Sequence, residues 1–259
     1  MESYMKLIFL GTGTSVGVPT IGCNCRVCKS KDPHDKRLRC AALVEQGGTR
    51  ILIDPGPDIR QQMLSQPFRK IDAVLLTHIH YDHAGGIDDL RPFCSFGDLS
   101  IYADDSTADA LVKTMPYCFG GNYYPGAPRI NLVRIGYHRP LRVNDIDVIP
   151  FEVMHDGLPI MAYRIGGLAY ITDMKTIKEP EMEYLNDVDT LVVNALRYAP
   201  EHHSHQSVDD AVAFAGRVGA RQTFLIHSCH GIGLHAEVNR KLPKGIQLAF
   251  DGQEVEVFC

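Results

Sequence analysis

The apolar run Ala73 to Leu76 opens directly into Thr77-His78-Ile79-His80-Tyr81-Asp82-His83-Ala84-Gly85-Gly86. Three imidazoles and a carboxylate within six residues form a donor set for a divalent cation. Neutral imidazole suits zinc and its neighbours, and carboxylate adds a hard anionic oxygen. A turn that leaves a strand end aims alternate residues apart, so His78 with His80 can face one ion while Asp82 with His83 face another. Gly85 and Gly86 let the backbone pass close beside such a cluster. A chain carrying this segment has to fold so that a buried strand ends in an enclosed polar site.

Strands to build that site recur along the chain. Short apolar, β-branched runs alternate with turns at Lys6 to Leu10, Ala41 to Glu45, Arg50 to Asp54, Ala73 to Thr77, Leu99 to Ala103 and Ile146 to Val153. They continue at Met161 to Ile165, Ala169 to Thr172, Thr190 to Asn194, Gln222 to His227 and Glu254 to Phe258. Helical spacing is expected at Ser106 to Met115, Glu179 to Leu185 and Ser207 to Val218. In the last, Val208, Ala211, Val212 and Ala215 form an apolar stripe behind a Ser207 N-cap. With 259 residues, 45% hydrophobic content and no low-complexity linker or repeat, the chain reads as one strand-rich α/β domain over residues 1–259. The stretch from Tyr117 to Arg142 is rich in Gly and Pro and carries Tyr123, Tyr124, Arg129, Arg134, His138 and Arg139. It is either a lid or substrate loop over residues 117–142 or a plain surface excursion.

Lys and Arg number 26 against 31 Asp and Glu, a formal net charge of −5, so the surface is not a general polyanion binder and nucleic acid is not expected as a partner. Leu7 to Leu10 is too short for a signal-peptide core or a membrane span, and a cytoplasmic protein without a membrane partner is expected. Of the eight cysteines, Cys23, Cys25 and Cys28 fall within six residues while the others are scattered, unlike the framework of a disulfide-stapled secreted domain. Three thiolates in one turn-rich loop (22–40) need a fourth ligand to close a tetrahedral zinc site. Candidates for it are His34, Cys40, Cys229 and His230.

His78-x-His80-x-Asp82-His83 after an apolar strand resembles the signature of the metallo-β-lactamase superfamily. The resemblance implies an αββα sandwich, two mixed sheets flanked by helices, with a dinuclear metal site at the sheet edges. Its remaining ligands, a His, an Asp and a His at the ends of later strands, fall on His155, Asp173 and His227, so the resemblance spans nearly the whole chain. Carried over by position, one divalent ion (Zn or Mn) is held by His78, His80 and His155 and the other by Asp82, His83 and His227, with Asp173 bridging. Two dications outweigh the carboxylates of Asp82 and Asp173 and leave a net positive centre that attracts phosphate. Asp54, at the end of its own apolar run, is expected to orient a ligand histidine.

Within that superfamily, the Gly11-Thr12-Gly13-Thr14-Ser15 opening, the Cys-x-Cys-x-x-Cys loop and His227-x-x-His230 resemble the PhnP-like cyclic phosphodiesterase branch. That branch carries an extra structural zinc on a set of this kind. His230, three residues after His227, is therefore the favoured fourth ligand to Cys23, Cys25 and Cys28, with Cys40 its main competitor. Gly11-x-Gly13 is not a nucleotide fingerprint, because it lacks the third Gly and any Gly-Lys-Ser/Thr.

The branch also places a histidine at the leaving group, and its match before the Ser207 helix is His205, with His203 as rival. The expected activity is metal-dependent hydrolysis of a small cyclic or nucleotide-like phosphodiester, such as a ribosyl 1,2-cyclic phosphate, with Asp82, Asp173 and His205 carrying the chemistry. A tRNA 3′-processing endonuclease, a glyoxalase II-type thioester hydrolase and a non-catalytic metal-binding scaffold are the alternatives. Self-association as a homodimer is compatible with any of them. Substrate-contacting residues are not identifiable from the sequence.

Overall fold

The computed structural model describes residues 4–119, 126 and 128–258. Its first half contributes strands β1 (Tyr4–Gly11), β2 (Ala41–Gln46), β3 (Thr49–Ile53), β4 (Ala73–Leu75), β5 (Leu99–Ala103) and β6 (Ile130–Arg134). The second half contributes β7 (Leu141–Val143), β8 (Ile146–His155), β9 (Leu158–Ile165), β10 (Leu168–Tyr170), β11 (Thr190–Asn194), β12 (Gln222–Ile226), β13 (Ile246–Leu248) and β14 (Glu254–Phe258). They form two seven-stranded mixed sheets, in the orders β14-β1-β2-β3-β4-β5-β6 and β13-β12-β11-β10-β9-β8-β7. Each sheet is antiparallel on one side and parallel on the other, the change falling at β3 in the first and β10 in the second.

Alternation along the strands explains the layers. Leu7, Phe9, Ile51, Ile53, Val192, Phe224 and Ile226 point into the core between the sheets. Ile8 and Leu52 face the other way, onto a cluster with Ile59, Ile87, Ala108 and Leu111 from the first half's helical segments. Leu191, Val193 and Leu225 face out onto Val208, Ala211, Phe214 and Ala215 of the helix Val208–Val218. Strands buried on both faces read as continuous apolar runs, and this is why they stood out in the sequence. That helix opens on a capping box in which Ser207 Oγ accepts from Asp210 N–H and Asp210 accepts from Ser207 N–H, both at 3.1 Å. It closes on Gly219 at φ 72°. No helix among the described residues is long and apolar enough to cross a membrane.

Glu179–Leu185 is helical as expected, in the form of a 3₁₀ helix with Pro180 in its first turn. Strands β6, β7 and β13 were not anticipated. The described part of residues 117–142 is divided between the two sheets. Pro116–Phe119 is a helical turn, β6 extends the first sheet and β7 starts the second. Within this stretch, Arg129 pairs with Asp98, Arg134 with Asp105 and Asp109, and His138 with Glu181. Tyr123 and Tyr124 lie outside the described residues.

A buried polar knot ties the cysteine-bearing loop to the chain's last turn. Arg37 donates to Thr12 Oγ1 at 2.7 Å and to Ala249 O at 2.6 Å, while Asp251 accepts from Thr12 Oγ1 and Leu38 N–H at 2.7 and 2.6 Å. Burial pushes the Asp251 carboxyl up from 3.8 to about 6 against these hydrogen bonds. A carboxyl raised on folding holds its proton more tightly in the folded chain. Its contribution to stability is therefore present below about pH 4 and is lost as pH rises through about 6. Asp251→Asn should remove that slope. The unfolding free energy of the variant relative to the parent, measured in urea, should change by about 2–3 kcal/mol between about pH 4 and pH 6.5.

Candidate metal centre

Five strands deliver donor residues to one rim of the sandwich. Asp54 follows β3, His78 to His83 follow β4, His155 ends β8, Asp173 follows β10 and His227 follows β12. Asp54, Asp173 and His227 each adopt the left-handed backbone conformation, at φ 56°, 55° and 56°. For residues other than glycine that conformation is costly and gathers at functional sites. Here it turns the chain sharply off the strand and aims the side chain at the neighbouring sheet edge. The loops are in intimate contact: a Cβ on Gly56 would stand 2.0 Å from Asp82 O, and one on Gly86 would stand 2.0 Å from Gly56 O. Glycine is required at both positions to let His83 sit over Asp54.

The donor atoms fall into two adjoining groups, each with all members within 4.8 Å of one another: His78, His80 and His155, and Asp82, His83, Asp173 and His227. Asp173 joins them, since its carboxylate also lies within 4.8 Å of His155 and His205. Its Oδ2 is 3.1 Å from His83 Nε2, and its Oδ1 is 3.0 Å from His227 Nε2. The donors of the two groups are all buried except His80, which is exposed and lies toward solvent.

The set fits divalent cations on its own chemistry. His83 is fully buried, its Nδ1 donates to Asp54 Oδ2 at 2.8 Å, and its Nε2 is left without a hydrogen-bond partner between two carboxylates. Burial would lower the His83 pKa, yet Asp173, Asp82 and Asp54 together raise it well above the usual imidazole range. Burial likewise opposes ionisation of Asp82 and Asp173, but the surrounding imidazoles of His83 and His227 hold both carboxyls well below the usual range. Three buried carboxylates around one imidazole need positive charge, which a metal cation supplies.

Neighbouring polar groups hold the donors in place. Asp54 accepts from Thr77 N–H at 2.8 Å and Thr77 Oγ1 at 2.7 Å, Thr172 Oγ1 donates to Asp173 at 2.6 Å, and His155 Nδ1 donates to Ser204 O at 3.0 Å. Asn194 clamps the turn after Asp173 through Met174 N–H and O. Sequence reasoning named Asp54 but missed Thr77, Thr172, Ser204 and Asn194. A threonine directly before a ligand-type residue, as in Thr77-His78 and Thr172-Asp173, was the available signal. Asp54→Ala should weaken metal binding about 10- to 100-fold, read by competition against a chromophoric chelator.

His205 reaches the same gap. Its Nδ1 is 3.5 Å from Asp173 Oδ1, and its ring packs against His155 and His227, both at 4.8 Å between centroids. Burial and then His227 push its pKa down to about 3. The rival His203 is exposed and touches only His202 among the neighbouring rings, at 4.4 Å.

A second cluster lies in the cysteine loop. His230 Nδ1 is 3.1, 3.4 and 3.5 Å from the sulfurs of Cys23, Cys25 and Cys28. Cys28 N–H, ahead of His230 and Cys23, lowers the Cys25 thiol to about 6, whereas burial pushes Cys28 up to about 11. The other candidates for a fourth ligand stand elsewhere. Cys40 is sealed in the core among His83, Asp173 and Asp82, His34 packs on Phe250 and His235, and Cys229 Sγ accepts from Gly231 N–H.

The β-lactamase superfamily domain model matches residues 49–228. A crystal structure of a diphosphatase from the PhnP family is 39% identical, with a TM-score of 0.92 over 100% of both chains. An octanoyltransferase of Porphyromonas gingivalis (strain ATCC BAA-308 / W83) is 45% identical over 251 residues, which cover 96% of this chain and 51% of the relative. A ribonuclease Z of Bradyrhizobium sp. (strain ORS 278) is 33% identical over 126 residues, 46% of this chain and 36% of that one. The chain thus spans about half the length, or less, of these two curated relatives. The family match and the full-length likeness agree with the αββα sandwich: the chain belongs to the β-lactamase superfamily and, within it, to the PhnP family.

Proposed function

We propose that the protein is a hydrolase that uses two divalent cations, held by His78, His80 and His155 and by Asp82, His83 and His227 with Asp173 between them, to cleave a small phosphodiester or diphosphate ester. The observation that carries this reading is the pair of donor groups joined through Asp173, with His205 beside them. Cations bound there supply Lewis acidity toward phosphoryl oxygens and make a nucleophile of water at neutral pH. The chain's own residues do the rest. Asp54 fixes the ring of His83, and Ser204 O fixes that of His155, so each presents its free nitrogen to the gap. His205 is kept neutral by burial until an anionic phosphate comes against it. That charge reverses the preference and leaves the imidazole poised to hand a proton to the departing oxygen. His205→Ala should keep its metal content, measured by inductively coupled plasma mass spectrometry, while its turnover falls about 10²- to 10³-fold.

A second reading has its own support. The 45%-identical relative is named an octanoyltransferase, and the chain corresponds to only half of it. On that reading the same metal rim serves octanoyl chemistry as an ester or thioester hydrolase. The phosphoester reading is preferred because the diphosphatase likeness covers both chains completely, whereas the octanoyltransferase has a second half able to carry its named activity. The ribonuclease Z likeness covers less than half of this chain, and the net charge of −5 disfavours a long polyanion. Metal-loaded protein assayed side by side on bis(p-nitrophenyl) phosphate and an octanoyl thioester decides between the readings. Turnover of the phosphodiester is expected; turnover of the thioester alone would overturn the proposal.

A further inference from the structure

At the end of the first sheet away from the metal rim, a cavity of about 310 Å³ is lined by Lys6, Glu45, Gly48, Arg50, Arg69 and Glu256. Arg50 lies in β3 four residues before Asp54, about 13 Å along the strand from that rim residue. Strand register sets Glu256 opposite Lys6, Lys6 opposite Glu45 and Glu45 opposite Arg50. Charges of alternating sign thus run across four strands on one face. Beyond Arg50 the alternation fails, because Arg69, whose carbonyl accepts from Arg50 Nη1 at 3.0 Å, adds a second cation. Both guanidiniums settle on the same Glu45 oxygen, Arg50 Nε donating at 2.8 Å and Arg69 Nη2 at 2.5 Å. Lys6 is balanced by Glu45 and Glu254, at 3.3 and 3.4 Å, and Asp72 accepts from the Arg50 backbone N–H and pairs with Lys70. The two arginines are left one anion short.

Arg50 is only 1% exposed, and its Nη2 is buried with no hydrogen-bond partner. An unpaired donor on a buried charged group is costly, and an ion cluster serving stability alone would have closed on it. Burial, opposed by Glu45 and reinforced by the like charge of Arg69, moves the Arg50 pKa below the usual guanidinium range. The partner that this arrangement lacks is an anion with oxygen acceptors, which a guanidinium fork binds best.

We infer that this cavity binds a small oxyanion ligand, a carboxylate or a phosphate group, through the paired guanidiniums of Arg50 and Arg69. The inference is independent of the phosphoester reading, since none of these residues belongs to the metal rim.

Two-dimensional ¹⁵N NMR of the zinc-loaded full chain, titrated at constant ionic strength with acetate and separately with phosphate, tests the site by place rather than by turnover. The backbone amide signals of Gly48 and Arg50 and the Arg50 Nε–H signal should move and saturate with at least one of these anions, whereas chloride should leave them unchanged. The anion that binds more tightly identifies the ligand as a carboxylate or a phosphate. Arg69→Gln, at a half-exposed side chain, should weaken that binding about tenfold. Arg69→Lys, which keeps the charge but not the planar fork, should recover only part of it. Shifts confined to the rim residues His78 to His83 and His227 would place the anion at the metals alone and overturn the inference. So would signals at Gly48 and Arg50 that move equally in the parent and in Arg69→Gln.

Discussion

Asp173→Ala should keep its fold yet lose phosphodiester turnover by at least about 10³-fold, because this one side chain serves both donor groups. Its Oδ1 faces His227 and His205, its Oδ2 faces His83 and accepts from Thr172, and its carboxylate also lies within reach of His155. Truncation takes away the anionic link between two sites whose joint action is worth several kcal/mol of barrier, and each 1.4 kcal/mol is tenfold in rate. It also leaves His83 and His227 facing a gap with only Asp82 to balance a cation. Metal analysis of the variant should show the His/Asp rim holding at most one tightly bound ion. A variant that retains both ions and parental turnover would remove Asp173 from the centre of the account.

Cys25→Ser should have the second large effect, and it should fall on stability rather than on chemistry. Cys25 is one of three thiols grouped on His230, and its sulfur accepts from Cys28 N–H at 3.4 Å. A structural zinc contributes its binding free energy to folding, so losing one of four ligands removes several kcal/mol. For a chain of this size the melting temperature should fall by about 10 °C or more, with one zinc fewer per chain. His230 and His227 flank one short loop, so collapse of the cysteine site should also loosen the His227 end of the rim. An unchanged zinc count in Cys25→Ser would exclude a cation at this site.

How far the sequence reaches is clearest in particular residues. His78, His80, Asp82 and His83 were legible because ligand-type side chains crowd the end of an apolar strand, where no core packing explains them. Asp173 and His227 were legible as polar residues that stop buried runs. The backbone at those stops was not, since a left-handed turn at Asp54, Asp173 and His227 leaves no compositional mark. Strands β6, β7 and β13 escaped notice for a different reason. β7 and β13 are three residues long, and β6 is a largely half-exposed strand at a sheet edge that lacks the two-sided burial of its neighbours. Spacing could not separate His230 from Cys40 as a partner for the thiols. The separation is three-dimensional, because Cys40, just before β2, packs into the core between the sheets whereas His230 rides on the turn that crosses the cysteine loop. The ion pairs of Arg129, Arg134 and His138 were not legible, because their partners, Asp98, Asp105, Asp109 and Glu181, are distant in sequence or unremarkable in composition.

Activity against metal equivalents is the most direct measurement of the central claim. Protein stripped of its weakly held ions by a mild chelator is titrated with Mn²⁺ while phosphodiester hydrolysis is followed. No turnover is expected at the start, followed by a rise that saturates at two equivalents per chain. Full activity without added metal, saturation at a single equivalent, or no hydrolysis with both sites filled would contradict it.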